Sequence, residues 1–110
     1  VLAVCGDGAF QMSLCELATV AASHAPLKVV VFDNRRLGMV REYQNSRYAR
    51  RHIGTHMDGN PDFVTLCRAY GIQAARARNN REAEQLAREM LASSRPYLLV
   101  CRVDPETPSV

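Results

Sequence analysis

Two stretches decide how this chain is read: Val1-Leu2-Ala3-Val4-Cys5-Gly6-Asp7-Gly8 and Lys28-Val29-Val30-Val31-Phe32-Asp33-Asn34. Each begins as a short apolar run rich in β-branched residues and ends in turn residues. Runs of that length and type read as buried strands of a parallel sheet. Asp7 and Asn34 therefore belong just past the carboxyl ends of two strands, the edge at which open α/β sheets bind ligands. A carboxylate and a carboxamide both offer hard oxygen donors. Such donors suit Mg²⁺, which takes few protein ligands and fills its octahedron with phosphate oxygens. Gly6 and Gly8 let the backbone turn tightly and approach a ligand. A helix expected after Gly8 would present free N–H groups to an anion. The combination predicts a site for a metal-bound diphosphate.

Further out, Phe10, Leu14, Leu17, Ala18 and Ala21 recur at helical spacing, predicting one helix over about residues 10 to 23. Pro26 stops it, and Lys28 opens the second strand. His24 reads as a turn histidine. After the loop Arg35 to Gly38, Met39, Val40 and Tyr43 mark one side of a short helix. Periodicity fades from Gln44 to Asn60, which predicts a long connection. His52 and His56 within it are not read as a metal pair, because Gly54 separates them. Asn60 is expected to cap the next helix, with Pro61 at its first position, and Gly71 to end it. Residues 72 to 78 read as a third strand. Asn79 or Asn80 caps a helix with an apolar face of Ala83, Leu86, Ala87, Met90 and Leu91. Residues 97 to 103 read as the fourth strand, and 104 to 110 as an irregular tail. The expected order is β-α-β-α-α-β-α-β, an α/β fold with a parallel sheet flanked by helices.

Composition narrows the function classes. The 110 residues suit one small domain, and the net charge is only +3, with 13 of 14 basic residues being arginine. The densest basic run, Arg47-Tyr48-Ala49-Arg50-Arg51-His52, reads as a solvent- or subunit-facing loop, with no nucleic-acid motif beside it. No membrane span is expected. Cys5, Cys15, Cys67 and Cys101 form no Cys-x-x-Cys pair. They read as buried free thiols of a reducing, cytoplasmic protein.

Asn34 lies 27 residues after Asp7. Gly-Asp-Gly, this gap and an Asn closing a strand resemble the fingerprint of thiamine diphosphate enzymes. Gly6-Asp7-Gly8-Ala9-Phe10-Gln11-Met12, Glu16-Leu17-Ala18-Thr19, Leu37-Gly38-Met39-Val40-Arg41, Asn60-Pro61-Asp62-Phe63 and Tyr70-Gly71-Ile72 look like the acetolactate synthase catalytic subunit. The resemblance runs almost end to end. It implies that residues 1–110 are the C-terminal cofactor-binding domain without its upstream part. It implies Mg²⁺ held by Asp7, Asn34 and the carbonyl of Arg36. Cofactor contacts would fall on Gly6, Gly8, Ala9, Leu37, Gly38 and Met39, and a substrate pocket on Met39, Val40 and Tyr43.

The reaction implied is decarboxylative joining of two 2-keto acids in branched-chain amino-acid synthesis. No catalytic acid or base is expected in this chain: the family's activating Glu lies in another domain, and Glu16 reads as structural. FAD, a middle domain, a homodimer or homotetramer and a regulatory subunit would belong to the intact enzyme, so this segment alone is expected to be inert. The chain departs from the family at Ser13 and Cys15, and at Asp33, where a second Asn is commoner. It departs again at Tyr43, where a Trp is typical. Tyr43 keeps open a decarboxylase or oxidase of another 2-keto acid. A non-catalytic binding or assembly module is the third alternative.

Overall fold

The computed structural model describes residues 1–107. Four parallel strands form one sheet: β1 (Leu2–Gly6), β2 (Lys28–Asp33), β3 (Gln73–Ala77) and β4 (Tyr97–Arg102), in the order β1-β2-β4-β3. Five helices accompany them: α1 (Asp7–Met12), α2 (Glu16–Ser23), α3 (Gly38–Arg47), α4 (Phe63–Ala69) and α5 (Asn80–Ala92). The fold class is the expected α/β one.

Alternation along each strand sends side chains to two faces. On one face Val31, Ala74, Leu98 and Val100 pack against Phe10, Leu17, Phe63 and Cys67, which come from α1, α2 and α4. On the other, Leu99 and Ala77 meet Met90 of α5, with Ala83, Leu86 and Ala87 beside it. Helix α5 does not reach the β1 side of that face, where Leu2, Val4 and Phe32 stay 51%, 59% and 45% exposed. β1 is also an edge strand. Below the sheet the ammonium of buried Lys28 donates to the carbonyl of Arg95.

Four expectations are corrected. The helix over 10–23 is two helices. Around Ser13-Leu14-Cys15 the bonds tighten to the i→i+3 kind: Ser13 N–H to Phe10 O (3.0 Å), Glu16 N–H to Ser13 O (3.0 Å) and Leu17 N–H to Leu14 O (3.1 Å). Cys15 on this corner is exposed, unlike Cys67, whose burial pushes its thiol up to about 11. Helix α3 runs on to Arg47, because a helix that buries no residue needs no apolar period. Asp62, not Asn60, caps α4, its carboxylate accepting from the Val64 amide at 3.2 Å. Helix α5 is capped by Asn79, which accepts from the Glu82 amide at 2.9 Å. Of the expected tail, residues 108 to 110 lie outside the described residues.

Candidate functional site

β1 and β2 are adjacent and parallel, with Gly6 level with Phe32. Asp7 and Asn34 each follow the end of their strand, so the two candidates stand side by side at the carboxyl edge. Helix α1 starts at Asp7 itself, with Gly6 as its cap residue in extended conformation, rather than after Gly8.

Asp7 is only 1% exposed. Its Oδ2 accepts a hydrogen bond from Asn60 Nδ2 at 2.6 Å. Burial raises the Asp7 carboxyl above its ordinary range. The Asn60 bond opposes that rise, and the neighbouring charge of Asp33 adds to it. Asp33 is buried too, and its Oδ1 has no hydrogen-bond partner. Two buried carboxylates, one with an orphaned oxygen, form a cluster that a cation would neutralise.

The Asn34 side-chain oxygen accepts the Arg36 N–H at 2.9 Å, a local turn that Asn makes readily. Between them Arg35 sits in the left-handed region at φ 53°. Such strained conformations concentrate at functional loops. Arg36 faces His56 in an isolated antiparallel bridge. Leu37 N–H donates to Thr55 O (2.9 Å) and Met57 N–H to Arg35 O (3.0 Å), and neither bond uses the Arg36 carbonyl. The Asp7 carboxylate, the Asn34 amide oxygen and the Arg36 carbonyl are all hard oxygen donors that suit Mg²⁺.

The two glycines are not equivalent. A Cβ on Gly8 would lie 2.7 Å from Leu37 Cδ2 and 3.2 Å from Met57 Sδ. Gly8 is therefore the point at which the start of α1, the Arg35–Gly38 loop and the 55–60 segment meet. A Cβ on Gly6 would meet nothing within 4 Å, which leaves room above the turn.

The other candidates spread out. Ala9 is exposed and lines an apolar cavity of about 260 Å³ with Phe10, Leu17, Val29 and Leu98, and none of the three donor residues lines it. Val40 and Tyr43 share an open groove with Tyr48, Arg51 and Ile53; Met39, 74% exposed, does not line it. The Tyr43 and Tyr48 rings meet edge-on, with centroids 5.9 Å apart. Glu16 is exposed at the start of α2. His52 contacts Asn45 Oδ1 at 2.6 Å, and His56 lies 3.7 Å from Asp58. Among the described residues no three His, Cys, Asp or Glu side chains form a metal cluster, and no helix is long and apolar enough to cross a membrane. Sequence reasoning missed Thr55, Met57 and Asn60, which close over the site from the long connection.

The profile of the family described as "Thiamine pyrophosphate enzyme, C-terminal TPP binding domain" matches residues 1–101. A probable acetolactate synthase large subunit of Methanococcus aeolicus is 38% identical over 107 residues, covering 97% of this chain and 18% of that protein. Acetolactate synthase isozyme 2 large subunit of Escherichia coli is 40% identical over 104 residues, covering 94% and 19%. The chain thus spans under a fifth of the length of these relatives. Among solved structures, benzoylformate decarboxylase from Polynucleobacter necessarius superposes with a TM-score of 0.89 at 24% identity, covering 98% of this chain and 20% of that one. A Rhodococcus jostii 4-hydroxybenzoylformate decarboxylase superposes with a TM-score of 0.87 at 22% identity, covering 94% and 20%. At those identities the likeness speaks for the fold. With the family profile spanning almost all of it, the chain belongs to the thiamine pyrophosphate-binding C-terminal domains of thiamine pyrophosphate enzymes.

Proposed function

We propose that this chain is the Mg²⁺–thiamine diphosphate-binding part of an acetolactate synthase-like carboligase. One observation carries the reading: buried Asp7 and the turn-forming Asn34 stand together at the carboxyl edge of β1 and β2, beside an orphaned Asp33 oxygen. In this reading Asp7, Asn34 and the Arg36 carbonyl hold Mg²⁺. Gly6, Gly8, Ala9, Leu37, Gly38 and Met39 border the cofactor, and Val40 and Tyr43, which share the open groove, border the substrate.

When bound, the cofactor supplies a nucleophilic thiazolium carbon able to attack a 2-keto acid. The chain's own residues bind and orient. Burial of Asp7 keeps water from competing for the cation. Closure of Leu37 and Met57 on Gly8 fixes the loop that would meet the diphosphate. No side chain here is assigned a proton-transfer role, and the chain alone is proposed to be inactive. Acetolactate synthase is the name carried by relatives at 38–40% identity, which supports two keto acids as substrates. Those relatives are named large subunits, which supports an intact enzyme with a second, smaller subunit; its regulatory role and a cytoplasmic location are part of the proposal. A second reading, a decarboxylase or oxidase of another 2-keto acid, draws on Tyr43, which lines the open groove.

The test is a thermal melt with Mg²⁺ and thiamine diphosphate together and singly, with Asp7→Ala as control. Binding to the folded state alone raises apparent stability. A rise that needs both components and vanishes in the variant is expected. Its absence in the intact protein would remove the cofactor reading. A panel of 2-keto acids on the intact enzyme separates the carboligase from the second reading.

A further inference from the structure

We infer that Asn60 is a positioning residue for the cation site, holding Asp7 Oδ2 so that the other carboxylate oxygen is presented to Mg²⁺. The inference rests on the cofactor reading above and extends it to a residue 53 positions away in the chain.

The donor is well matched to the task. A carboxylate this buried cannot replace a lost partner with water. The Asn60 amide, together with the Gly8 backbone N–H, holds the carboxylate while adding no charge, whereas a lysine in its place would repel the cation. Capping α4 does not explain the place of Asn60. Asp62 begins α4 instead, taking the Val64 amide at 3.2 Å and the Thr65 hydroxyl at 2.7 Å.

The segment that carries Asn60 touches both halves of the donor set. At one end, Thr55 O accepts from Leu37 N–H (2.9 Å) and Met57 N–H donates to Arg35 O (3.0 Å). At the other, Asn60 reaches Asp7, while its own amide donates to Met57 O at 3.2 Å. Residues 55 to 60 therefore bracket the site, and Asn60 sets the distance between the α1 carboxylate and the Arg36 carbonyl.

The experiment is a calorimetric titration of the intact protein with MgCl₂ at saturating thiamine diphosphate, beside a thermal melt without either. Removing a group that orients a metal ligand typically weakens binding by about 10–100-fold, and that loss is expected for Asn60→Ala. Asn60→Gln, which keeps the amide donor, should recover part of it. Asp62→Ala, which strips the α4 cap, should lower the melting temperature and leave the Mg²⁺ affinity in place. Asn60→Ala binding Mg²⁺ within twofold of the parent would overturn the inference alone. So would an equal loss in Asp62→Ala, since that would mark a merely structural effect. An unsubstituted protein that binds no Mg²⁺ would overturn the cofactor reading and this inference together.

Discussion

Gly8→Ala separates packing from binding at the candidate site. The added methyl carbon would sit 2.7 Å from Leu37 Cδ2 and 3.2 Å from Met57 Sδ. Carbon contacts relax at about 3.5–4.0 Å, so the Leu37 methyl must retreat by roughly 1 Å. Two stability terms then oppose each other. Alanine is favoured over glycine within a helix by about 0.8–1.0 kcal/mol, and overpacking costs about 1–3 kcal/mol. Leu37 is only half-buried and its methyl is the far end of a flexible side chain, so the cost falls at the low end. Net stability should change by less than about 1 kcal/mol. Binding should not escape. Leu37 itself borders the cofactor in the proposed site, so its displaced methyl alters the surface the cofactor meets, and displacing a positioned group by about 1 Å can cost on the order of 100-fold. Urea denaturation of the cofactor-free protein should therefore show a near-parental midpoint. Titration with Mg²⁺ and thiamine diphosphate should show affinity reduced about 10–100-fold. In a Leu37→Ala background the methyl has room, and Gly8→Ala should then change affinity far less. Parental affinity in the single variant would refute the argument that the Gly8–Leu37 contact sets the loop.

Three further outcomes follow from the same coordinates. Phe63, 1% exposed and edge-on to Phe10 at 5.1 Å, should cost about 3–5 kcal/mol when cut to alanine, against a typical total of about 5–15 kcal/mol. A urea-derived loss below about 1 kcal/mol would mean that the ring is not packed in this way. Asn79→Ala should remove the α5 cap at a cost of about 0.5–2 kcal/mol, read by the same denaturation. The Asp7 carboxyl is raised in the fold, chiefly by burial. Its contribution to the metal-free protein is then full below the unfolded value of 3.8 and lost as pH rises through the folded value. Relative to the parent, metal-free Asp7→Asn should therefore gain stability from pH 4 to pH 7, and with Mg²⁺ and thiamine diphosphate present the parent should be the more stable at pH 7. A flat metal-free difference would show that Asp7 carries no such penalty.

Much of the fold was legible because its signals are local. Three β-branched or apolar runs became β1, β2 and β4, β3 was bounded by the stop at Gly71 and the cap at Asn79, and the stripe from Ala83 to Leu91 became most of α5. The break at Ser13–Cys15 was invisible because Phe10, Leu14 and Leu17 keep their spacing across it. Half of the site was legible as well, since Asp7 and Asn34 end their own strands. The other half was not. Asn60 carries a strong capping signal, with Pro61 after it, yet Asp62 takes the cap and Asn60 turns to Asp7. That choice is made by a carboxylate far away in sequence, which no local pattern reports. Thr55 gave no signal either: it is a polar residue in an irregular stretch, fully buried by the bridge between Arg36 and His56.

The sheet order also fixes a sequence of events. β4 is the last of the described strands, yet it lies between β2 and β3. Among the described strands β3 pairs with β4 alone, so of the three ladders only β1–β2 can form without Tyr97–Arg102. Closing β2 onto β4 joins residues 69 positions apart, as Lys28 with Tyr97. Pairings of that span are slow to nucleate. The Asp33 carbonyl accepts the Val103 amide at 3.1 Å, so the turn that presents Asn34 is anchored by residues just beyond β4. Asp7 and Asn34 thus precede β4 in sequence, and the edge that holds them side by side is complete only once β4 has paired with β2.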